Sequence, residues 1–459
     1  MSCKTARRFI SFKYDVVLAI RITMIQQILF LITLGVAAFF IRKRVVRIRA
    51  NINLGKANDI NDRKPERFQN MMMVAFGQKK MFKRFIPAIL HLFIYVGFLV
   101  INLEVLEFVI DGLAGTHRIF AQYLGEFYNV LMNVFEFLAI AVLLACVVML
   151  IRRNVLRLKR FWSAEMTSWP RLDANLILFI EIILMCAILI MNASDQILQG
   201  RDEHYAATGT LFFSSFITPT LKHFNTSTLV TIERCAWWFH IIGILGFSIY
   251  VTYSKHLHIF MAFLNTYYAK LEMKGHINNM PVVTNEVKSM LGLADANVTP
   301  AGEPGRFGAK DVNDLSWDNL LAAYSCTECG RCTSECPANL TGKKLSPRKI
   351  MMDTRDRMEE VGNSIAIGGP GLADGKFLLG DYITKEEINA CTSCNACVEA
   401  CPIMINPLEI IVELRRYVAM EESGSPAQWN SMFQNIETSF APWKFSPADR
   451  FNWARDSSK

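Results

Sequence analysis

Residues 326–337 read CTECGRCTSECP, and residues 391–402 read CTSCNACVEACP. Each is Cys-x2-Cys-x2-Cys-x3-Cys-Pro, with Cys326, Cys329, Cys332 and Cys336 in the first copy and Cys391, Cys394, Cys397 and Cys401 in the second. Eight thiolates at this spacing are the ligand set of two 4Fe–4S clusters. Three cysteines spaced by two residues wrap one cluster from a single loop. The fourth, followed by proline, turns away to the other cluster. The expected sets are Cys326, Cys329, Cys332 with Cys401, and Cys391, Cys394, Cys397 with Cys336. Zinc also takes Cys-x2-Cys pairs, usually two pairs around one ion; two sets of three plus one suit it poorly. A chain with two such clusters is expected to carry electrons.

Upstream of the motifs the chain changes character. Of its 459 residues 52% are hydrophobic, high for a soluble protein. Five apolar stretches, Ile22–Ile41, Ile86–Ile110, Phe127–Ile151, Ala174–Leu198 and Ala236–Phe260, are each long enough to span about 30 Å of hydrocarbon as a helix. The net charge of +8 would suit nucleic acid, but the basic residues lie in runs beside apolar segments, as in membrane loops. No nucleic-acid partner is expected. The loop 42–84 carries thirteen Lys and Arg and the loop 152–171 six, against one around Arg118 and three over 199–234. The two basic loops, and with them the cysteine motifs, are expected on the cytoplasmic side. Lys4, Arg7, Arg8, Lys13 and Arg21 run against that orientation, and a translation start at Met24 would remove the conflict. The first apolar stretch has no small-residue cleavage site and runs into Arg42-Lys43-Arg44, so it is expected to be an anchor. Cys3, Cys146, Cys186 and Cys235 are scattered, and no disulfide framework is expected.

These patterns divide the chain into an N-terminal segment (1–21), a membrane domain (22–270), a linker (271–315), a two-cluster domain (316–420) and a tail (421–459). The linker is marked by Gly302-Glu303-Pro304-Gly305. Between and after the motifs, helical patterns at 347–361, 385–390 and 407–421, with a turn at Gly368-Gly369-Pro370-Gly371, favour an α-helical ferredoxin over a compact β-hairpin type. The tail holds Trp429, Trp443 and Trp453 and is expected to be a docking arm, with plain disorder as the alternative.

Histidines inside spans are costly and point to function. His91 lies in the second span, seven residues past Arg84. His240 and His258 lie eighteen residues apart in the fifth. On one continuous helix that is five turns and about 27 Å, so both face the same way at opposite depths. A b-type haem takes two axial nitrogens from facing helices, and His91 and His258, at similar depth, are the expected pair. His256 is the rival ligand, expected on the opposite face of the helix. The bland alternative is that His258, beside Lys255 and His256, is an interfacial residue. Asn102, Glu104, Glu136 and Glu181 also lie within spans. Asn102, Glu104 and His240, toward the outer side, are candidates to handle quinone protons; the alternative is interhelical hydrogen bonding.

The stretch Trp238-Phe239-His240 … Tyr253-Ser254-Lys255-His256-Leu257-His258 resembles the last helix of the cytochrome b subunit of respiratory nitrate reductase, a module shared with membrane subunits of heterodisulfide reductase. The cysteine-rich part is similar to the small iron–sulfur subunit of heterodisulfide reductase. The resemblance implies an all-α membrane protein: a five-helix transmembrane cytochrome b bundle joined to a helical ferredoxin with two 4Fe–4S clusters. It places haem ligands at His91, His258 and His240. The remaining ligand of that family would fall at Ile101, which is not histidine, so one haem b is expected and a second is left open. It further implies exchange with membrane quinone, a bacterial or archaeal cytoplasmic membrane, and substrate chemistry on a partner. That partner would be a cytoplasmic flavoprotein or an iron–sulfur subunit with a C-C-G domain, since this chain shows neither a nucleotide-binding glycine motif nor a C-C-G unit. The alternative is a membrane-anchored ferredoxin without haem, acting as an anchor or a redox sensor.

Overall fold

Five helices are long and apolar enough to cross a membrane: α1 (Cys3–Ile52), α2 (Phe85–Ala114), α3 (Glu126–Leu150), α4 (Ser168–Leu198) and α5 (Thr226–Val251). The computed structural model describes residues 3–293, 306–369 and 374–457, with side chains from Met24 onward, Asp456 excepted. The turn expected at 302–305, and the one at 368–371 from position 370 on, lie outside those residues. No strand occurs among the described residues, so the chain is all-α as expected. Consecutive spans pack on one another, and α1 closes the ring by touching both α2 and α5. Phe30, Phe108, Leu138, Ile188 and Trp237 fill its centre. Leu29, Phe39, Phe137 and Phe179 remain open on the outside, as a surface bathed in lipid requires. Local chemistry sets the helix ends. Gly115 stops α2 in the left-handed region at φ 72°, its N–H returning to the Asp111 carbonyl. The Asn225 side chain opens α5 by accepting from the Thr228 N–H.

The fifth span corrects one expectation. It is not a single helix through position 260. It ends at Val251, passes through a tight turn at Lys255–Leu257, and restarts as α6 (His258–Tyr268). The Thr252 carbonyl is taken by Arg44, the Ser254 hydroxyl accepts from the His256 N–H at 3.0 Å, and the Asp173 carboxylate accepts from the Lys255 N–H at 3.2 Å. Side chains satisfy the groups the broken helix frees. His240 and His258 therefore do not share a helix, and the five-turn spacing does not apply to them.

The cysteine-rich part is built on α7 (Trp317–Ser325), α8 (Pro347–Gly368) and α9 (Pro407–Met420). Leu320, Ile350, Met358, Ile388 and Leu414 form its core. Ile48 of α1, with Leu257 and Ala262, belongs to that same core, as do Ala309, Val312 and Leu315 from the stretch expected to be linker. The basic loops supply the rest of the seat. Arg44 pairs with Glu359 at 2.5 Å, and fully buried Arg348 pairs with Glu165 at 2.6 Å. α1 and α8 approach so closely that a Cβ on Gly362 would collide with Asn51 Oδ1. In the tail, the helix Ala427–Ser439 leaves Trp429, Phe433 and Ile436 exposed.

Candidate functional site

The two cysteine loops share one backbone signature. The second and fourth residues after the first cysteine adopt left-handed conformations: Glu328 and Gly330 in one copy, Ser393 and Asn395 in the other. Such alternation curls a loop into a concave nest of N–H groups that suits an anionic cluster. One is seen in place, with the Ser393 N–H donating to Cys391 Sγ at 3.4 Å. The short helices Arg331–Ser334 and Ala396–Ala400 pack together and bring the motifs into register. Cys401 lies within electrostatic reach of Cys326, Cys329 and Cys332. Cys336 lies by Cys391 and Cys394, and Cys397 joins that group. The eight sulfurs thus lie in one neighbourhood, with Cys332 also within reach of Cys397. Among the described residues no three His, Cys, Asp or Glu converge on a single ion, whereas a cluster spreads its thiolates over the corners of a larger body. Burial pushes the Cys326 and Cys397 thiols up to about 12 and that of Cys401 to about 11. As free thiols they stay protonated, and only a bound cation makes the thiolates favourable.

The His91 and His258 rings line one cavity, with centroids 6.4 Å apart and planes tilted by 43°. Two imidazoles on opposite sides of one metal, at about 2 Å per bond, put their centroids roughly 6 Å apart. The outer nitrogens are already engaged. His258 Nδ1 lies 3.0 Å from the Lys255 carbonyl, and His91 Nδ1 lies 3.2 Å from Gln78 Oε1. With those acceptors on Nδ1, Nε2 of each ring is the lone-pair nitrogen, the arrangement metal-bound histidines use. These residues fit a bis-histidine haem. His256 is not turned away as the continuous helix implied: its ring is 5.3 Å from that of His258 and 5.5 Å from Phe247. The turn at Lys255–Leu257 brings it in.

His240 is 1% exposed and sits apart from that pair. Its Nδ1 lies 3.1 Å from the Leu184 carbonyl, its Nε2 has no partner, and its ring neighbour is Phe108 at 5.9 Å. Both Glu104 oxygens are likewise buried without partners. Glu136 is satisfied by Ser214 and Asn192. Just past the end of α2, Arg118 ties Asp195 at 2.7 Å, Asn192 at 2.7 Å and Tyr128 at 3.2 Å, and Tyr128 donates to Glu107 at 2.7 Å. This polar cluster occupies the bundle end opposite the ferredoxin.

A cavity of about 1490 Å³ links these parts. Its lining runs from Cys329, Arg331 and Pro402 past His91 and His258 to His240 and Glu181. Beside it lies a contact that pattern reading missed. Lys255, whose carbonyl engages His258, pairs through its ammonium with Glu328, the residue just before Cys329. Burial opposes charge on Glu328, yet Arg355 at 2.6 Å and Lys255 hold its carboxyl below the usual range. The sequence signal was an acid inside the first motif where the second has Ser393; its partners are remote in the chain.

Comparison with known proteins accords with this architecture. A 4Fe–4S dicluster domain family matches residues 325–405. The chain is 28% identical to "Probable iron-sulfur-binding oxidoreductase FadF" of Bacillus subtilis, over 93% of this chain and 60% of that one. It is 26% identical to "EtfAB:quinone oxidoreductase" of Syntrophomonas wolfei, over 86% of this chain and 54% of that one. It is 28% identical to one component of the dihydromethanophenazine:CoB–CoM heterodisulfide reductase of Methanosarcina mazei, over 31% of this chain and 35% of that one. The chain spans little more than half the length of the first two relatives. No solved structure matches it. The chain joins five helices long and apolar enough to cross a membrane to a part similar to 4Fe–4S dicluster domains and to components of heterodisulfide reductases.

Proposed function

We propose that the chain moves electrons between membrane quinone and a redox partner on the cytoplasmic side, through a haem b held by His91 and His258 and two 4Fe–4S clusters. One cluster is assigned to Cys326, Cys329, Cys332 and Cys401, the other to Cys391, Cys394, Cys397 and Cys336. The carrying observation is the cavity that holds the two imidazoles, 6.4 Å apart, and also reaches Cys329. When bound there, haem b supplies one-electron oxidation and reduction at an iron held by two imidazoles. The protein's own part is placement. Gln78 and the Lys255 carbonyl fix the two rings, Glu328 ties His258's neighbour to the cluster loop, and backbone N–H groups on sulfur stabilise the thiolates. The relative whose printed name couples EtfAB to quinone favours quinone on the membrane side. The counterpart on the other side is proposed to be a flavoprotein or a C-C-G-domain iron–sulfur subunit.

The test is a haem and iron assay on detergent-purified protein, with a reduced-minus-oxidised spectrum after adding a quinol. This reading expects about one haem b per eight cluster irons, reduced by quinol. Full iron with no haem would leave a membrane-anchored ferredoxin in its place.

A further inference from the structure

The deep end of the cavity has a chemistry the haem pair does not use. His240 presents a buried Nε2 with no partner, and because Nδ1 lies against the Leu184 carbonyl, that nitrogen is an acceptor. A buried acceptor left unsatisfied is costly and calls for an explanation. Glu181 lies one turn before Leu184 on α4, lines the same cavity, and has no ion-pair partner among the described residues. The rest of the lining is largely apolar, with Phe98, Ile101, Val105, Met185 and Ile244 beside Asn102. Phe98 and Leu99 also line the cavity and are 39% and 43% exposed.

We propose that this end is a hydroquinone site, with His240 Nε2 and the Glu181 carboxyl accepting from the two ring hydroxyls. The inference rests on the quinone-linked reading and adds the place and the contacts. A lipid-soluble ring with two hydroxyl donors matches a slot of apolar walls and two acceptors. A second haem does not, because among the described residues no histidine ring stands opposite His240. Its ring neighbour is Phe108, and position 101 is isoleucine.

The test uses the full chain in detergent and titrates a hydroxyquinoline N-oxide, a fluorescent quinol analogue whose emission is quenched on binding. Wild type is expected to bind about one equivalent. His240→Leu is expected to weaken binding about tenfold or more and Glu181→Gln several-fold, as for loss of one hydrogen bond each, with the haem band and cluster iron unchanged. Glu181→Gln, nearly isosteric, carries the test if His240→Leu does not fold. Unchanged binding in the folded variants would overturn this site and leave the quinone-linked reading standing. Loss of a haem equivalent in His240→Leu would make His240 an axial ligand and overturn it too. No binding by wild type, with quinol failing to reduce the haem, would sink both.

Discussion

Around the first cysteine motif, Glu328 is buried between Lys255 and Arg355, Arg331 is buried beside Met81, and Arg348 is buried against Glu165. Around the second, Cys394 is exposed, and the ionic contact is a surface one, Glu399 with Lys83 and Lys274. One cysteine spacing thus occurs in two unlike surroundings, an inner one walled in by membrane loops and an outer one with a cysteine at the surface. Position in an electron path follows from what packs on the motif, because the ligands themselves are alike. The inner motif shares a cavity with His91 and His258; the outer one offers a sulfur at the surface, where a docking protein can approach.

The difference is open to direct attack. The largest effect is expected from the ligands. Cys394→Ser should lower the iron from about eight to about four atoms per chain, abolish transfer to an external acceptor, and leave the inner cluster reducible by quinol. Cys329→Ser should lose the same iron but also stop reduction of the outer cluster by quinol. Electron paramagnetic resonance of quinol-reduced protein separates the two, and equal spectra would break the inner–outer assignment. His91→Ala or His258→Ala should remove the haem band and keep both clusters. Full haem in both variants would show the axial pair to be wrong.

A smaller effect is expected from the seat. Arg348→Met leaves the Glu165 carboxylate buried without its cation, a loss of about 3–5 kcal/mol, read as a lower denaturation midpoint with early release of the inner cluster. A matching substitution at the outer site, Lys274→Met, should change the midpoint little, since exposed pairs contribute at most about 1 kcal/mol. Similar shifts in the two variants would erase the contrast. The smallest effect is a pH dependence. Lys274 and Lys83 hold the Glu399 carboxyl down at about 2, against an ordinary value of 4.5. A depressed carboxyl contributes stability above its unfolded pKa and loses it as pH falls through the folded one. Wild type should therefore exceed Glu399→Gln by a margin that is full above pH 4.5, shrinks below it, and is gone beneath about pH 2. A margin independent of pH would argue against the pair.

Much of this molecule is legible residue by residue. Five spans follow from runs of apolar side chains, because a helix in hydrocarbon must satisfy every backbone group internally. The dicluster character follows from local spacing, since a loop with cysteines two apart suits one cluster. The structure does bring the His91 and His258 rings near each other, with centroids 6.4 Å apart. The course of the fifth span was not legible. Arg44 and Asp173, both distant in sequence, stabilise the break after Val251 and swing His256 in beside His258. Periodicity sees only neighbours in the chain, and the groups that end this helix are not neighbours. The same holds for Lys255 with Glu328, for Arg348 with Glu165, and for the core that takes Ile48 from α1 into the ferredoxin. Local sequence determined the spans, the spacing of the cysteines and the positions of the histidines. Tertiary packing alone decided which motif lies inward, which imidazoles come together and which nitrogen is left free, because those outcomes depend on charges and carbonyls brought together from opposite ends of the chain.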